Sequence, residues 1–142
     1  MFPSDQELTA LLAGVKTVAV VGAKDRPGQP VDTVGRYLIA AGFTVLPVHP
    51  KRSNVWGLPT YASLLDVPGP IDLVDLFREP AACPEHAREC LRLARPPAIF
   101  WMQKGIASPE ARAILTGLPV AVIEDRCLMV EHKRLSGGAR HA

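Results

Sequence analysis

Four stretches of this chain pass from apolar residues into lysine or arginine, and that placement is the chemistry of an anion cradle. Lys24 and Arg26 follow Thr17-Val-Ala-Val-Val-Gly22, and Lys51 and Arg52 follow Val45-Leu-Pro-Val-His49-Pro50. Arg78 follows the run 71–77, and Lys104 follows the run 98–102. One basic surface loop is ordinarily just solvated. Four of them, each after an apolar run in a chain of net charge +2, concentrate positive charge where a polyanion would sit. Asp25, Glu79 and Asp125 share these loops, so the field there is positive without being uniform.

Other residue types give weaker signals. His49 has no second histidine at ligand spacing and reads as a neutral binding-loop residue. Cys83, Cys90 and Cys127 are odd in number and lack C-x-x-C spacing, which argues against disulfides and against zinc, so no metal is expected. Cys127 sits among apolar neighbours, where an inert packing thiol outweighs a redox role. Asp125, Arg126 and Glu131 supply carboxylates but no nucleophile with its base, so they read as a network holding the last helix, and no catalytic residue is assigned. Trp101 and Gln103 end one apolar run; Gln103 borders the candidate site, and Trp101 either borders it or belongs to the core.

The elements that must position these residues follow from periodicity. Ser4 with Glu7 forms a capping-box pattern that opens a helix over 5–14, with Leu8, Leu11, Leu12 and Val15 on one face. The β-branched run ending at Gly22 reads as a strand buried on both faces, and the glycine permits a tight turn with close ligand approach. Pro30 starts a helix with Val31, Val34, Leu38 and Ala41 inward, ended by Gly42. A strand over 43–48, a turn-rich loop to Pro59, a short helix over 61–65 and a strand over 71–77 follow. The next helix opens at Pro84 with Ala87, Cys90, Leu91 and Ala94 inward and Arg92 and Arg95 in its last turn. A strand over 98–102, a helix opened by Ser108-Pro109-Glu110 and closed by Gly117, a strand over 120–123 and a helix over 127–135 complete the order.

This alternation specifies an α/β fold, a three-layer αβα Rossmann-like domain with a mostly parallel sheet of about five strands. At 142 residues, 48% apolar and 21% charged, the composition suits one domain over 1–135 with a disordered tail over 136–142. The absence of a long apolar segment or a signal-peptide pattern predicts a cytoplasmic protein with reduced thiols. The small net charge does not support general nucleic-acid or membrane binding.

In such a sheet the ligand lies beyond the carboxyl ends of the strands, where the basic loops are. The ligand class is narrowed by what the motifs lack. Gly22 is not followed by the spacing G-x-G-x-x-G, and no Gly-Lys-Ser/Thr closes a Walker loop. An NAD site wants an acid after the second strand, but this chain has His49-Pro50-Lys51, which suits a ribose phosphate instead.

Taken in order, Val18-Ala-Val-Val-Gly-Ala23, Tyr37-Leu38, Val45-Leu-Pro-Val-His-Pro50, Tyr61-Ala-Ser-Leu64, Val74-Asp-Leu-Phe-Arg78, Trp101-Met-Gln-Lys-Gly105 and Asp125-Arg-Cys-Leu-Met-Val-Glu131 resemble the small bacterial CoA-binding proteins. These are akin to the CoA-binding domain of the succinyl-CoA synthetase α subunit. The resemblance spans nearly the whole chain and implies that coenzyme A is cradled by Gly22, Ala23, Lys24, Val48, His49, Pro50, Lys51, Phe77 and Arg78. Asp25, Arg26 and Gln103 complete the candidate binding set. Lys24 stands where the family commonly has serine, and His49 where it commonly has asparagine.

The expected function is therefore non-catalytic binding of CoA or an acyl-CoA. The alternatives are a CoA-binding component of an acyl-CoA ligase that needs a partner chain, and an NAD(P)-binding oxidoreductase fragment. In the larger synthetase the phosphorylated histidine lies outside this domain, so the chain is not expected to be an enzyme by itself.

Overall fold

The computed structural model describes residues 2–137 and 141. Ser4 begins the first helix, α1 (Asp5–Ala13), through a reciprocal cap: its Oγ accepts the Glu7 N–H at 3.1 Å, and its own N–H donates to Glu7 Oε1 at 2.9 Å. Strand β1 (Thr17–Val21) follows, then α2 (Pro30–Ala40) with Pro30 in its first turn, and β2 (Thr44–Val48). Beyond a long connection come β3 (Leu73–Leu76), α3 (Cys83–Arg92), β4 (Ile99–Met102), α4 (Pro109–Leu115), β5 (Ala121–Ile123) and α5 (Leu128–Ser136).

The five strands form one parallel sheet in the order β2-β1-β3-β4-β5. Alternate side chains of β1 divide the core. Val18 and Val20 pack with Leu8, Val34, Leu38 and Leu128, so α1, α2 and α5 cover one face. Ala19 and Val21 pack with Val74, Phe100, Ala87 and Ala111, so α3 and α4 cover the other. The crossover to β2 leaves β1 on one side, and the crossover to β3 returns on the other. The strand order thus reverses between β1 and β3, which opens a crevice at their carboxyl ends.

The two aspartates of the third strand have opposite fates. Asp72 stands just before β3, where its Oδ2 accepts the N–H groups of Lys16 and Thr17 at 2.9 and 3.0 Å and the Thr17 hydroxyl at 3.1 Å. It staples the beginnings of β1 and β3. Asp75 lies within β3, fully buried, and neither carboxyl oxygen has a hydrogen-bond partner among the described residues. Burial pushes its carboxyl well above the usual range, since nothing nearby compensates a charge.

Three local expectations are corrected. The segment 61–65 is not a short helix: Tyr61 makes a parallel bridge to Val48, and a 3-10 turn follows at Leu64–Asp66, with Ser63 Oγ accepting the Leu65 N–H. Helix α3 ends at Arg92, so Ala94 and Arg95 lie beyond it, Leu91 is 49% exposed, and Leu93 packs inward instead. Arg95 does not meet a helix terminus but lies 3.2 Å from Asp72 Oδ1. The trio Asp125, Arg126 and Glu131 does not form one network. Asp125 accepts the Gly105 N–H at 2.7 Å, Arg126 lies over the Phe2 ring, and Glu131 pairs with Arg134 at 2.7 Å.

Trp101 is wholly buried and donates its indole N–H to the Arg126 carbonyl at 2.7 Å, which makes it a core residue. Of the tail expected over 136–142, Ser136 closes α5, and His141 stacks on Phe43 with ring centroids 4.1 Å apart. Residues 138–140 and 142 lie outside the described residues.

Candidate functional site

The crevice begins at Gly22. Its φ of +85° is one that side-chain-bearing residues rarely adopt, and a Cβ there would stand 2.5 Å from the Phe77 carbonyl oxygen. Glycine thus lets the turn after β1 lie against the segment after β3. Two clefts meet over this turn, one of about 730 Å³ and one of about 320 Å³. Gly22, Lys24, Phe77, Arg78 and Glu79 line both, so they form the seam of one continuous groove.

The smaller compartment is closed by His49, Pro50 and Lys51 from the loop after β2. The larger one runs past the start of α2, at Gln29 and Pro30, to the apolar side chains of Val31, Val34 and Ile106 and to Cys127. Gln29 caps α2 without a side-chain hydrogen bond, so the positive end of the helix dipole faces the groove. A basic compartment thus joins a mainly apolar one through a seam that carries two cations.

The expected site residues divide into those whose side chains reach the groove and those that shape its backbone. Lys24, His49, Pro50, Lys51, Phe77 and Arg78 line it. Gln103 borders the larger compartment, but its Oε1 accepts the Leu128 N–H at 3.1 Å, so its amide also caps α5. Ala23 and Val48 are buried. The Val48 carbonyl accepts the N–H groups of Gly22 and Ala23 at 2.9 and 3.2 Å, so these residues hold the turn and offer no side chain to a ligand.

Asp25 and Arg26 line neither compartment. Asp25 Oδ2 instead accepts the Trp56 N–H at 3.4 Å, while Arg26 is exposed. Sequence reasoning passed over Gln29, Pro80 and Ile106, which carry no chemical pattern of their own.

Trp56 anchors the loop that brings Lys51 to the site. It adopts a left-handed φ of 54°, rests against Gly35 of α2, where a Cβ would lie 2.2 Å from its ring, and donates its indole N–H to Asp32 at 2.9 Å. Strain of this kind persists only where the surroundings over-determine it.

His49 Nδ1 accepts the Lys51 N–H at 3.0 Å. Partial burial, and then the charges of Arg52, Lys24, Arg78 and Lys51, hold its proton affinity below the usual imidazole range. The ring is therefore a neutral donor through Nε2, as its surroundings require. Cys83 and Cys90 lie on the buried face of α3, where burial pushes their thiols up to about 11 and about 12. No group of three or more His, Cys, Asp or Glu side chains among the described residues is placed to hold a metal ion.

Behind Arg78 stands a second polar cluster. His86 Nδ1 lies 2.6 Å from Glu89 Oε1, and Glu89 Oε2 accepts the Ser63 hydroxyl at 2.6 Å. Burial works to raise the Glu89 carboxyl, but the hydrogen bonds from His86 and Ser63 outweigh it and leave the group below its ordinary value.

Fold and groove together define a parallel Rossmann-like α/β domain with a crevice at the switch point between β1 and β3. The chain belongs to the CoA binding domain family, whose pattern it matches over residues 16–133. The uncharacterized protein YneT of Bacillus subtilis is 35% identical over 130 residues, covering 92% of this chain and 95% of that protein. A solved structure from Thermus thermophilus superposes with a TM-score of 0.87 at 45% identity, covering 94% of this chain and 99% of the other. The ADP-forming acetate:CoA ligase I of Archaeoglobus fulgidus is 34% identical over 77 residues, which is 54% of this chain and only 11% of the ligase. No helix among the described residues is long and apolar enough to cross a membrane.

Proposed function

We propose that this domain binds coenzyme A or an acyl-CoA in the groove over Gly22 and does not itself carry out acyl transfer. The observation that carries the reading is the seam. Lys24 and Arg78 stand together at the junction of the two compartments, beside the uncapped start of α2. A pyrophosphate bridging an adenosine half and an extended arm needs that arrangement of charge. On this reading the adenosine half, with its ribose phosphate, takes the smaller compartment near Lys51. The pantetheine arm runs through the larger one past Val34 and Ile106 toward Cys127.

The NAD reading is disfavoured by the same loop. His49, Pro50 and Lys51 occupy the place where a carboxylate would hold a ribose diol. The similarity to a tenth of a CoA ligase supports a second reading, in which this chain is the CoA-binding component of a ligase completed by a separate chain. Calorimetric titration with CoA, dephospho-CoA and NAD at one fixed salt concentration tests the ligand. CoA is expected to bind at least about tenfold more tightly than NAD, a difference of about 1.4 kcal/mol. Equal affinity for NAD refutes the reading. Steady acyl-CoA formation by the pure chain with ATP and acetate would refute its non-catalytic part.

A further inference from the structure

Arg78 lies at the seam of the groove but is held there only loosely. Its Nη2 is 3.5 Å from Glu79 Oε1, and its Nη1 is 3.5 Å from His86 Nε2. Both contacts are long beside the 2.7–2.9 Å typical of charge-assisted bonds. The imidazole it faces is fixed, with His86 tied to Glu89 at 2.6 Å and Glu89 tied to Ser63 at 2.6 Å. The His86 and Glu89 side chains are only 14% and 13% exposed.

One proton assignment satisfies every contact in this chain. Ser63 and His86 Nδ1 donate to an ionised Glu89, and the Nε2 lone pair faces the Arg78 guanidinium as an acceptor. If the cluster served only to pin α3, the Ser63, Glu89 and His86 bonds would suffice. The direction of Nε2, toward the arginine that lines both compartments, is what that role leaves unexplained.

We propose that His86 belongs to the phosphate-binding machinery: it parks Arg78 in the free crevice and takes up a proton when a phosphate draws the guanidinium away, so that ligand binding is proton-linked. The proposal rests on the reading of the groove as a CoA site. A phosphate at the seam offers Arg78 shorter bonds than Glu79 or His86 does. Once it moves, Nε2 loses its donor and its lone pair is free to take a proton. Glu89 remains on Nδ1 at 2.6 Å, in place to pair with the charged ring.

The groups that bear on this step are Arg78 and Glu79 from the segment after β3, Glu89 and Arg92 on α3, and Lys24 and His49 across the groove. Ser63, which does not titrate, closes the far side. His49 is excluded as the proton acceptor by geometry, because its Nδ1 already accepts the Lys51 N–H.

The test is calorimetric titration of the full chain with dephospho-CoA, whose diphosphate diester holds no proton near neutrality. It is run near pH 7 in buffers of different ionisation enthalpy and repeated near pH 6 and pH 8. The wild type should take up about half a proton per ligand and bind about tenfold more tightly at the lower pH than at the higher. His86→Gln keeps an acceptor but cannot hold a proton. It should still unfold cooperatively and should lose both the uptake and the gain near pH 6, so that its affinity no longer changes between pH 6 and pH 8.

Uptake that persists in His86→Gln, or that disappears only in His49→Gln, overturns the proposal. If dephospho-CoA does not bind, the functional reading fails, and NMR titration of the His86 ring in sulfate against chloride at equal ionic strength still decides this one. A titration midpoint raised by sulfate supports the role of His86, and an unmoved midpoint overturns it.

Discussion

Gly22 and Gly28 have nearly the same backbone conformation, with φ of +85° and +88°, but opposite surroundings. An added Cβ at Gly22 meets the Phe77 carbonyl oxygen at 2.5 Å, whereas at Gly28 nothing lies within 4 Å. Substitution by alanine imposes the same conformational cost at both, about 1–2 kcal/mol for an L residue in this region. At Gly22 the clash adds to it. The opposing atom belongs to backbone held by the Phe77 N–H bond to the Val21 carbonyl at 3.0 Å, so β1 and β3 must part rather than a side chain turn aside. Overpacking of this kind costs about 1–3 kcal/mol.

Gly22→Ala should therefore lose about 2–5 kcal/mol and Gly28→Ala about 1–2 kcal/mol. At roughly 3 °C per kcal/mol for a domain of this size, the melting temperatures should fall by about 10 °C and about 4 °C. Differential scanning calorimetry reads the difference, and titration reads its consequence: CoA affinity should fall sharply in Gly22→Ala and hold in Gly28→Ala. Equal melting temperatures in the two variants would refute the close approach of the two backbones on which the groove is built.

Lys51→Ala should weaken CoA by roughly ten- to a hundredfold, the worth of one charge-assisted hydrogen bond at about 1.5–3 kcal/mol, while leaving dephospho-CoA within about threefold. Equal losses for both ligands in calorimetry would remove Lys51 from the ribose phosphate. Asp75 predicts a pH dependence of stability. The unfolded carboxyl ionises above about pH 4 while the folded one stays protonated, so stability falls as pH rises from there toward the raised folded value. Asp75→Asn abolishes that loss, and its stability relative to wild type should grow as pH rises from about 4 in denaturant unfolding. A difference that stays flat with pH would mean that Asp75 is not held protonated.

The sequence by itself determined the order of elements, because the signals that set them are local. The β-branched run before Gly22, Pro30 at the start of α2, and Ser4 and Ser108 as caps each act within about one turn of chain. The same alternation dictated a parallel sheet, and with it the edge where the basic loops gather. Where local pattern misled, a tertiary partner had overridden it. Tyr61 follows Val48 as a bridge instead of starting a helix, and Arg95 turns to Asp72 instead of a helix end.

The interior of the groove was decided only by the folded chain. Strand order places β1 beside β3, so that Gly22 meets Phe77 across 55 positions of sequence, and no periodicity encodes that pairing. Ala23 and Val48 shape the turn through their backbone, which side-chain identity does not reveal. The chain of Ser63, Glu89, His86 and Arg78 draws on three separate segments. Even its i, i+3 pair on α3 drew no notice in one dimension, because hydrogen-bonded networks are selected for geometry in space and leave no spacing rule along the chain.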